Sequence, residues 1–293
     1  MSKILVTENI VGKQMEILKM SFDVRFEPEL WKSPDKLKEI IPEFEALIIR
    51  NQTIITSELI AVASKLKVIG RHGVGIDNVD LDAASQAEVL VTYAPEQNAI
   101  SVAELVIGLA LCLARKIPAA DRSTREGNWE RQRFTGTEIF NKTMGIVGLG
   151  RIGFRVGTRA QAFGMDIIAH DPYVNQDSLN VSELRAPLLS LDDLCHQADY
   201  VTCHLPLTDE TQKIFNYDIF CSMKPTAFFI NLSRGGIVNE GGLLHALQSE
   251  QIAGAALDVR QDEPPRKDIF SKMENVILTP HVGGITAESR ERV

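Results

Sequence analysis

The run Gly148-Leu149-Gly150-Arg151-Ile152-Gly153 constrains this chain more than any other stretch. Met144-Gly145-Ile146-Val147 before it is short and apolar and predicts a buried strand. Ile152, Val156 and Ala160 after it recur at helical spacing. The glycines therefore sit on a strand-to-helix turn, and each has its own physical task. Gly148 permits the tight turn, Gly150 lets the backbone approach a pyrophosphate, and Gly153 lets helix and strand pack closely. The first N–H groups of the helix and its positive dipole end favour phosphate. A second strand, Asp166-Ile167-Ile168-Ala169-His170, runs into Asp171, at the distance where a carboxylate reads a ribose hydroxyl. Taken alone, Asp171 also fits a turn acid before Pro172. Strand, glycines, helix and acid in register predict a dinucleotide site.

The same alternation runs through the whole chain. Before the glycine turn, strands are predicted at 3–6, 46–49, 66–69 and 89–91, with a weaker one near Val24, and helices at 13–20, 36–41 and 57–63. After Thr143, strands are predicted at 144–147, 166–169, 200–203, 227–230, 253–257 and 276–278. Strand–helix alternation means parallel sheets, and 293 residues suffice for two domains. The predicted class is α/β, with two Rossmann-like domains built on doubly wound parallel sheets. Between them, Ser101 is placed to cap a helix, with Glu104 at the capping-box position. That helix is apolar nearly all round, which predicts burial between domains or at a dimer seam.

Composition removes several classes. A net charge of −8 argues against nucleic acid as the main partner. Cys112, Cys195, Cys203 and Cys221 form no C-x-x-C pair, so neither a metal site nor a disulfide framework is expected, which fits a reducing, cytoplasmic setting. The N-terminal apolar run is too short for a signal peptide. The nearest candidate for a membrane span, residues 102–114, is too short and carries Glu104.

Three polar groups stand where later strands end. Strand 227–230 runs into Asn231-Leu232-Ser233-Arg234-Gly235-Gly236, strand 253–257 into Asp258 and Glu263-Pro264-Pro265, and strand 276–278 into Pro280-His281. Ligands bind outside the carboxyl ends of such strands. An arginine fork holds a substrate carboxylate, a histidine moves a hydroxyl proton, and a carboxylate beside it fixes its tautomer. Singly, Arg234 also fits a turn cap, Glu263 a solvated loop acid and His281 a buried structural histidine. Jointly, at three strand ends, they suit hydride transfer at a hydroxy acid.

Leu149–Gly153, Leu232-Ser233-Arg234-Gly235-Gly236-Ile237-Val238, Ala255-Ala256-Leu257-Asp258-Val259 with Glu263-Pro264, and Pro280-His281 resemble the signature blocks of the D-isomer-specific 2-hydroxyacid dehydrogenases. Residues 70–80, Asn98 through Glu104, and Trp129-Glu130-Arg131 resemble the branch acting on 3-phosphoglycerate. The resemblance implies Arg234 as carboxylate binder, His281 as acid/base and Glu263 as its partner. For NAD it implies Gly148, Gly150, Arg151, Ile152, Gly153, Asp171, Leu232, Ser233 and Asp258, with His281 and Gly283 beside the nicotinamide. The backbone of Val74 and Gly75 would help hold the carboxylate. Residues 1–98 and 285–293 would form a flavodoxin-like substrate domain, and 99–284 the NAD-binding and dimerisation domain of a homodimer.

Arg50 and Arg71 end strands of the first domain and are candidate readers of a distal anion. The resemblance adds Arg131, lent by the other subunit, although Arg131 and Arg133 also fit surface charges near Trp129. A sulfonate or second carboxylate would satisfy these arginines as a phosphate would. His72 stands where the family usually has a small residue, and Leu205 where a threonine is usual. The chain stops inside what begins as a helix and lacks the serine-sensing domain of many relatives, so regulation through such a domain is not expected. The alternatives are a glyoxylate or hydroxypyruvate reductase, needing no distal-anion reader, and an NAD-sensing binding protein like the corepressors of this fold. Formate dehydrogenase, a cousin, carries Gln where Glu263 stands.

Overall fold

Apolar runs of three to five residues become strands and most intervening stretches become helices, in two separate units. The computed structural model describes residues 2–73, 75–94, 97–265 and 269–292. One unit comprises Met1–Asn98 with Ile285–Val293; the other is Ala99–Gly284.

The first unit runs β1 (Lys3–Val6), α1 (Lys13–Ser21), β2 (Asp23–Phe26), α2 (Pro34–Ile40), β3 (Ala46–Ile49), α3 (Ser57–Val62), β4 (Val68–Arg71), α4 (Leu81–Gln86) and β5 (Leu90–Tyr93). Its strands pair in parallel in the order β2-β1-β3-β4-β5, the flavodoxin-like arrangement. Alternate residues serve opposite faces. Leu5, Leu47, Ile49 and Ile69 join the larger core with Leu37, Leu59 and Ala84, while Val6 packs with Ile10 and Met15 of the α1 side.

The second unit opens with α5 (Ala99–Arg115) and α6 (Ile117–Arg125). It continues through β6 (Thr143–Val147), α7 (Arg151–Ala162), β7 (Asp166–His170), α8 (Leu179–Leu184), α9 (Leu191–Gln197) and β8 (Tyr200–Cys203). Then follow α10 (Tyr217–Ser222), β9 (Phe228–Asn231), α11 (Glu240–Gln248), β10 (Gly254–Leu257) and β11 (Val276–Leu278); α12 (Ala287–Arg292) returns to the first unit. The parallel sheet has the order β11-β10-β9-β8-β6-β7. A single parallel bridge, Ala169 to Leu188, prolongs it beyond β7, so a third mononucleotide strand survives as one residue pair. The strand interiors are mostly apolar because helices cover both faces. Ile146, Ile230 and Ala256 join the core with α5, α7 and α8; Val147, Phe229 and Leu257 join the one with α9, α10 and α11.

One expectation about α5 needs correction. The helix begins at Ala99, so Ser101 lies buried within its first turn and is not the capping residue. Within the second unit α5 packs on α7 and across β9 and β10.

Candidate active site

Val147 at the end of β6 pairs with both His170 of β7 and Cys203 of β8, so the chain leaves the sheet at its switch point. Gly148 there has φ +94°, and a Cβ on it would press on the His204 carbonyl at 2.9 Å. A Cβ on Gly153 would collide with the Gly148 carbonyl oxygen, whereas one on Gly150 would have nothing within 4 Å. Two glycines are thus required by packing, and the third leaves open space. Arg151 and Ile152 open α7, so the positive end of its dipole faces the turn. Asp171 sits at the end of β7 with a fixed carboxylate. Leu149 N–H donates to Oδ2 and Tyr173 N–H to Oδ1, each at 2.9 Å. Open space over Gly150, a positive helix end and an oriented carboxylate fit a dinucleotide. Leu205, in place of threonine, lays its side chain beside Gly148.

At the ends of β9, β10 and β11 the structure brings Glu263 and His281 together: Nδ1 of His281 lies 2.6 Å from Oε2 of Glu263. Arg260 N–H donates to the other oxygen at 3.0 Å. Burial pushes the Glu263 carboxyl up, but the hydrogen bonds from His281 and Arg260 and the charges of His281 and Arg234 outweigh it. The net position is below the usual carboxylate range. His281 itself has φ +53°, a left-handed backbone that a non-glycine residue adopts only when its surroundings impose it. Its N–H donates to the Asp258 carbonyl at 2.8 Å. The Asp258 side chain, 1% exposed, does the rest of the holding. It accepts from Thr279 Oγ1 at 2.6 Å, Val282 N–H at 2.8 Å and Gly283 N–H at 2.7 Å. Asp258 therefore ties the return loop to β10.

Arg234 is set by a residue the sequence reading left aside. Asn231, 1% exposed, donates from Nδ2 to the Arg234 carbonyl at 3.0 Å and accepts from Ser233 N–H at 2.9 Å and Ser233 Oγ at 2.8 Å. Leu232 lies buried between them, and Arg234 Nη1 donates to the Ser233 carbonyl at 2.7 Å. The signal was present: a polar residue closing the apolar strand Phe228–Asn231.

In the first unit a buried carboxylate again knits the loop beyond a strand. Glu8, 4% exposed, accepts from Arg50 N–H at 2.8 Å, Thr53 N–H at 2.9 Å and Thr53 Oγ1 at 2.8 Å. Arg50 follows β3 and Arg71 ends β4; burial, then the Arg290 charge, lower the pKa of Arg50. Arg71 Nη1 donates to the His72 carbonyl at 3.0 Å, and Arg71 and His72 line a cavity of about 320 Å³ with Arg290. Burial and the charges of Arg50 and Arg71 lower the pKa of His72. Gly75 is partly buried on the same loop; Val74 lies outside the described residues. Arg131, in the second unit, is exposed on the turn after α6, while Arg133 beside it pairs with Glu130 and Glu274 and lies over Phe134, not Trp129. The described residues contain no cluster fit to hold a metal ion, and none of their helices is long and apolar enough to cross a membrane.

Residues 107–283 match the family described as D-isomer specific 2-hydroxyacid dehydrogenase, NAD binding domain. The chain is 42% identical over 293 residues to a D-3-phosphoglycerate dehydrogenase of Synechocystis, covering 100% of this chain and 52% of that protein. The chain thus spans about half the length of that relative. Among solved structures, the TT0316 protein of Thermus thermophilus superposes with a TM-score of 0.91 at 32% identity, covering 99% of this chain and 92% of the other. An Aquifex aeolicus D-lactate dehydrogenase, complexed with NAD and lactic acid, gives 0.88 at 26% identity, covering 99% and 91%.

Proposed function

Because the chain belongs to the D-isomer-specific 2-hydroxyacid dehydrogenases, we propose that it transfers hydride between NAD and a D-2-hydroxy acid bearing a distal anion, such as 3-phosphoglycerate. The observation that carries the chemistry is the 2.6 Å contact between His281 Nδ1 and Glu263 Oε2 beyond the strand ends. With Nδ1 engaged by Glu263, Nε2 is the nitrogen left for substrate. In oxidation, neutral His281 accepts the hydroxyl proton there; in reduction, its imidazolium returns it. Glu263, held ionised, engages Nδ1 and so fixes the tautomer of His281. Arg234 holds the substrate carboxylate, a task for a planar fork, and so orients the reacting carbon. The Gly148–Gly153 turn and Asp171 would hold the nicotinamide cofactor, which would supply the hydride acceptor or donor. Leu232, Ser233, Asp258 and Gly283 would border it.

Arg50 and Arg71 are the proposed readers of the distal anion, with the Val74–Gly75 backbone on the substrate carboxylate and Arg131 acting from a second subunit. The substrate domain in this reading is 1–98 with 285–293, and 99–284 serves NAD binding and dimerisation. Free thiols at Cys112, Cys195, Cys203 and Cys221 support a cytoplasmic setting.

The experiment is NADH formation with a panel of D-2-hydroxy acids: 3-phosphoglycerate, a sulfonate analogue, lactate, glycerate and glycolate. Highest kcat/KM on the phosphate- or sulfonate-bearing acids is expected. Preference for glycolate or glycerate would move the reading to a glyoxylate or hydroxypyruvate reductase. NADH binding without turnover of any acid would sink the enzymatic reading.

A further inference from the structure

Behind the Glu263–His281 pair stands a second charge pair that no motif announced. Arg260, on the loop between Asp258 and Glu263, is buried, with 8% of its surface exposed. Its Nε donates to Glu240 Oε1 at 2.9 Å and its Nη2 to Oε2 at 3.2 Å. Gln261 N–H donates to the same Glu240 Oε1 at 2.9 Å. The guanidinium lies over the buried Phe270 ring, 4.9 Å from its centroid. A Cβ on Gly235 would collide with the Arg260 carbonyl, so the residue after Arg234 packs directly on this backbone. The Arg260 N–H meets Glu263 Oε1 at 3.0 Å, and Glu263 Oε2 meets His281 at 2.6 Å. One residue thus touches the segments that carry Arg234 and Glu263, and through Glu263 it reaches His281.

A buried ion pair is poor at adding stability, because desolvation offsets the attraction; what it does well is fix one geometry. We propose that Glu240 and Arg260 are positioning residues, whose bidentate pair sets the 259–263 loop so that Glu263 meets His281 and thereby governs proton transfer there. This rests on reading Glu263 and His281 as the acid–base pair. The groups facing that pair are Arg234, which acts on Glu263 by its charge, the Arg260–Glu240 pair behind it, and Asp258 beneath the His281 loop. Arg260→Lys keeps the charge but not the fork. The double variant Arg260→Met/Glu240→Gln removes both charges, so neither is left buried alone.

The test compares parent, both variants and Glu263→Gln. Thermal melts first establish folding, and Arg260→Lys carries the comparison if the double variant does not fold. One readout is the pH profile of kcat/KM for hydroxy-acid oxidation. The other is an NMR titration of the His281 imidazole in the protein alone. The expected result is at least a tenfold loss of kcat/KM in the double variant, with a smaller loss in Arg260→Lys. The His281 titration curve should change in the double variant as it does in Glu263→Gln. A folded variant with kcat/KM within twofold of the parent and an unchanged titration curve overturns the proposal. So does a loss of activity with the curve unchanged, which would make the pair merely structural. If the parent oxidises no hydroxy acid, the proposed function falls, while the titration comparison still decides for or against the clamp.

Discussion

Single carboxylates decide much of this molecule. Asp171 is held by two backbone amides, and a phosphate on the adenosine ribose would face its charge. Two unit charges about 4 Å apart at an effective dielectric near 20 repel by about 4 kcal/mol, less at a half-exposed edge. NAD should therefore be preferred over NADP by roughly 10²–10³ in kcat/KM, and equal values would show that Asp171 does not read the ribose. Asp258 accepts three hydrogen bonds from the His281 loop, and in Asp258→Asn the amide cannot accept from all three donors. One buried donor left unmet costs about 1–3 kcal/mol. Urea unfolding should report that loss, with a fall in kcat/KM that exceeds it, because the left-handed His281 backbone loses its anchor. Unchanged kcat/KM in a destabilised Asp258→Asn protein would mean that the loop holds His281 without it.

At the scale of elements, the strand–turn–helix unit separates packing from ligand approach. Gly153 faces the Gly148 carbonyl with no room for a side chain, while Gly150 faces open space at an ordinary negative φ. Gly153→Ala should lose about 1–3 kcal/mol of stability, the usual cost of overpacking. Gly150→Ala should melt close to the parent yet bind NADH at least tenfold more weakly, a difference of about 1.4 kcal/mol. Melting curves and NADH fluorescence titrations of the two proteins check the contrast. Full NADH affinity in a folded Gly150→Ala protein would deny the close backbone approach. The same unit explains why Ser101 misled: its spacing to Glu104 suits a cap, but α5 had already begun at Ala99, where its apolar face meets α7.

For the whole molecule, acid should be the vulnerable side. Burial lowers the His204 imidazole to about 3; burial and the charges of Arg50 and Arg71 also lower His72. Below about pH 6.5 the unfolded chain binds these protons and the folded one does not, so stability falls as pH falls. Glu263 adds to the trend: its stabilisation is present above its unfolded value of 4.5 and is lost as pH drops through the lowered folded value. Urea midpoints should decline steadily from pH 7 toward pH 4, and His204→Gln should show a shallower slope. Parallel slopes for parent and variant would remove His204 from the account.

The sequence by itself determined what depends on neighbours along the chain. Apolar runs separated by helical stretches dictate parallel sheets, and Gly148, Gly150 and Gly153 dictate a turn that only a strand and a helix can flank. Arg234 and His281 stand three residues beyond runs recognisable as strands and Glu263 six beyond another, which is why the sequence marked them as candidates. What only the tertiary structure decided are partnerships across strand order. Asp258 reaches Gly283, 25 positions away; Arg260 reaches Glu240, 20 positions away; Glu8 reaches Thr53, 45 positions away. Asn231 reads as one more strand residue until its side chain is seen bracing Ser233 and Arg234. No periodicity encodes these pairs. A buried polar group must find a partner wherever the packed strands bring one within hydrogen-bond distance, and that choice exists only once the sheet has formed.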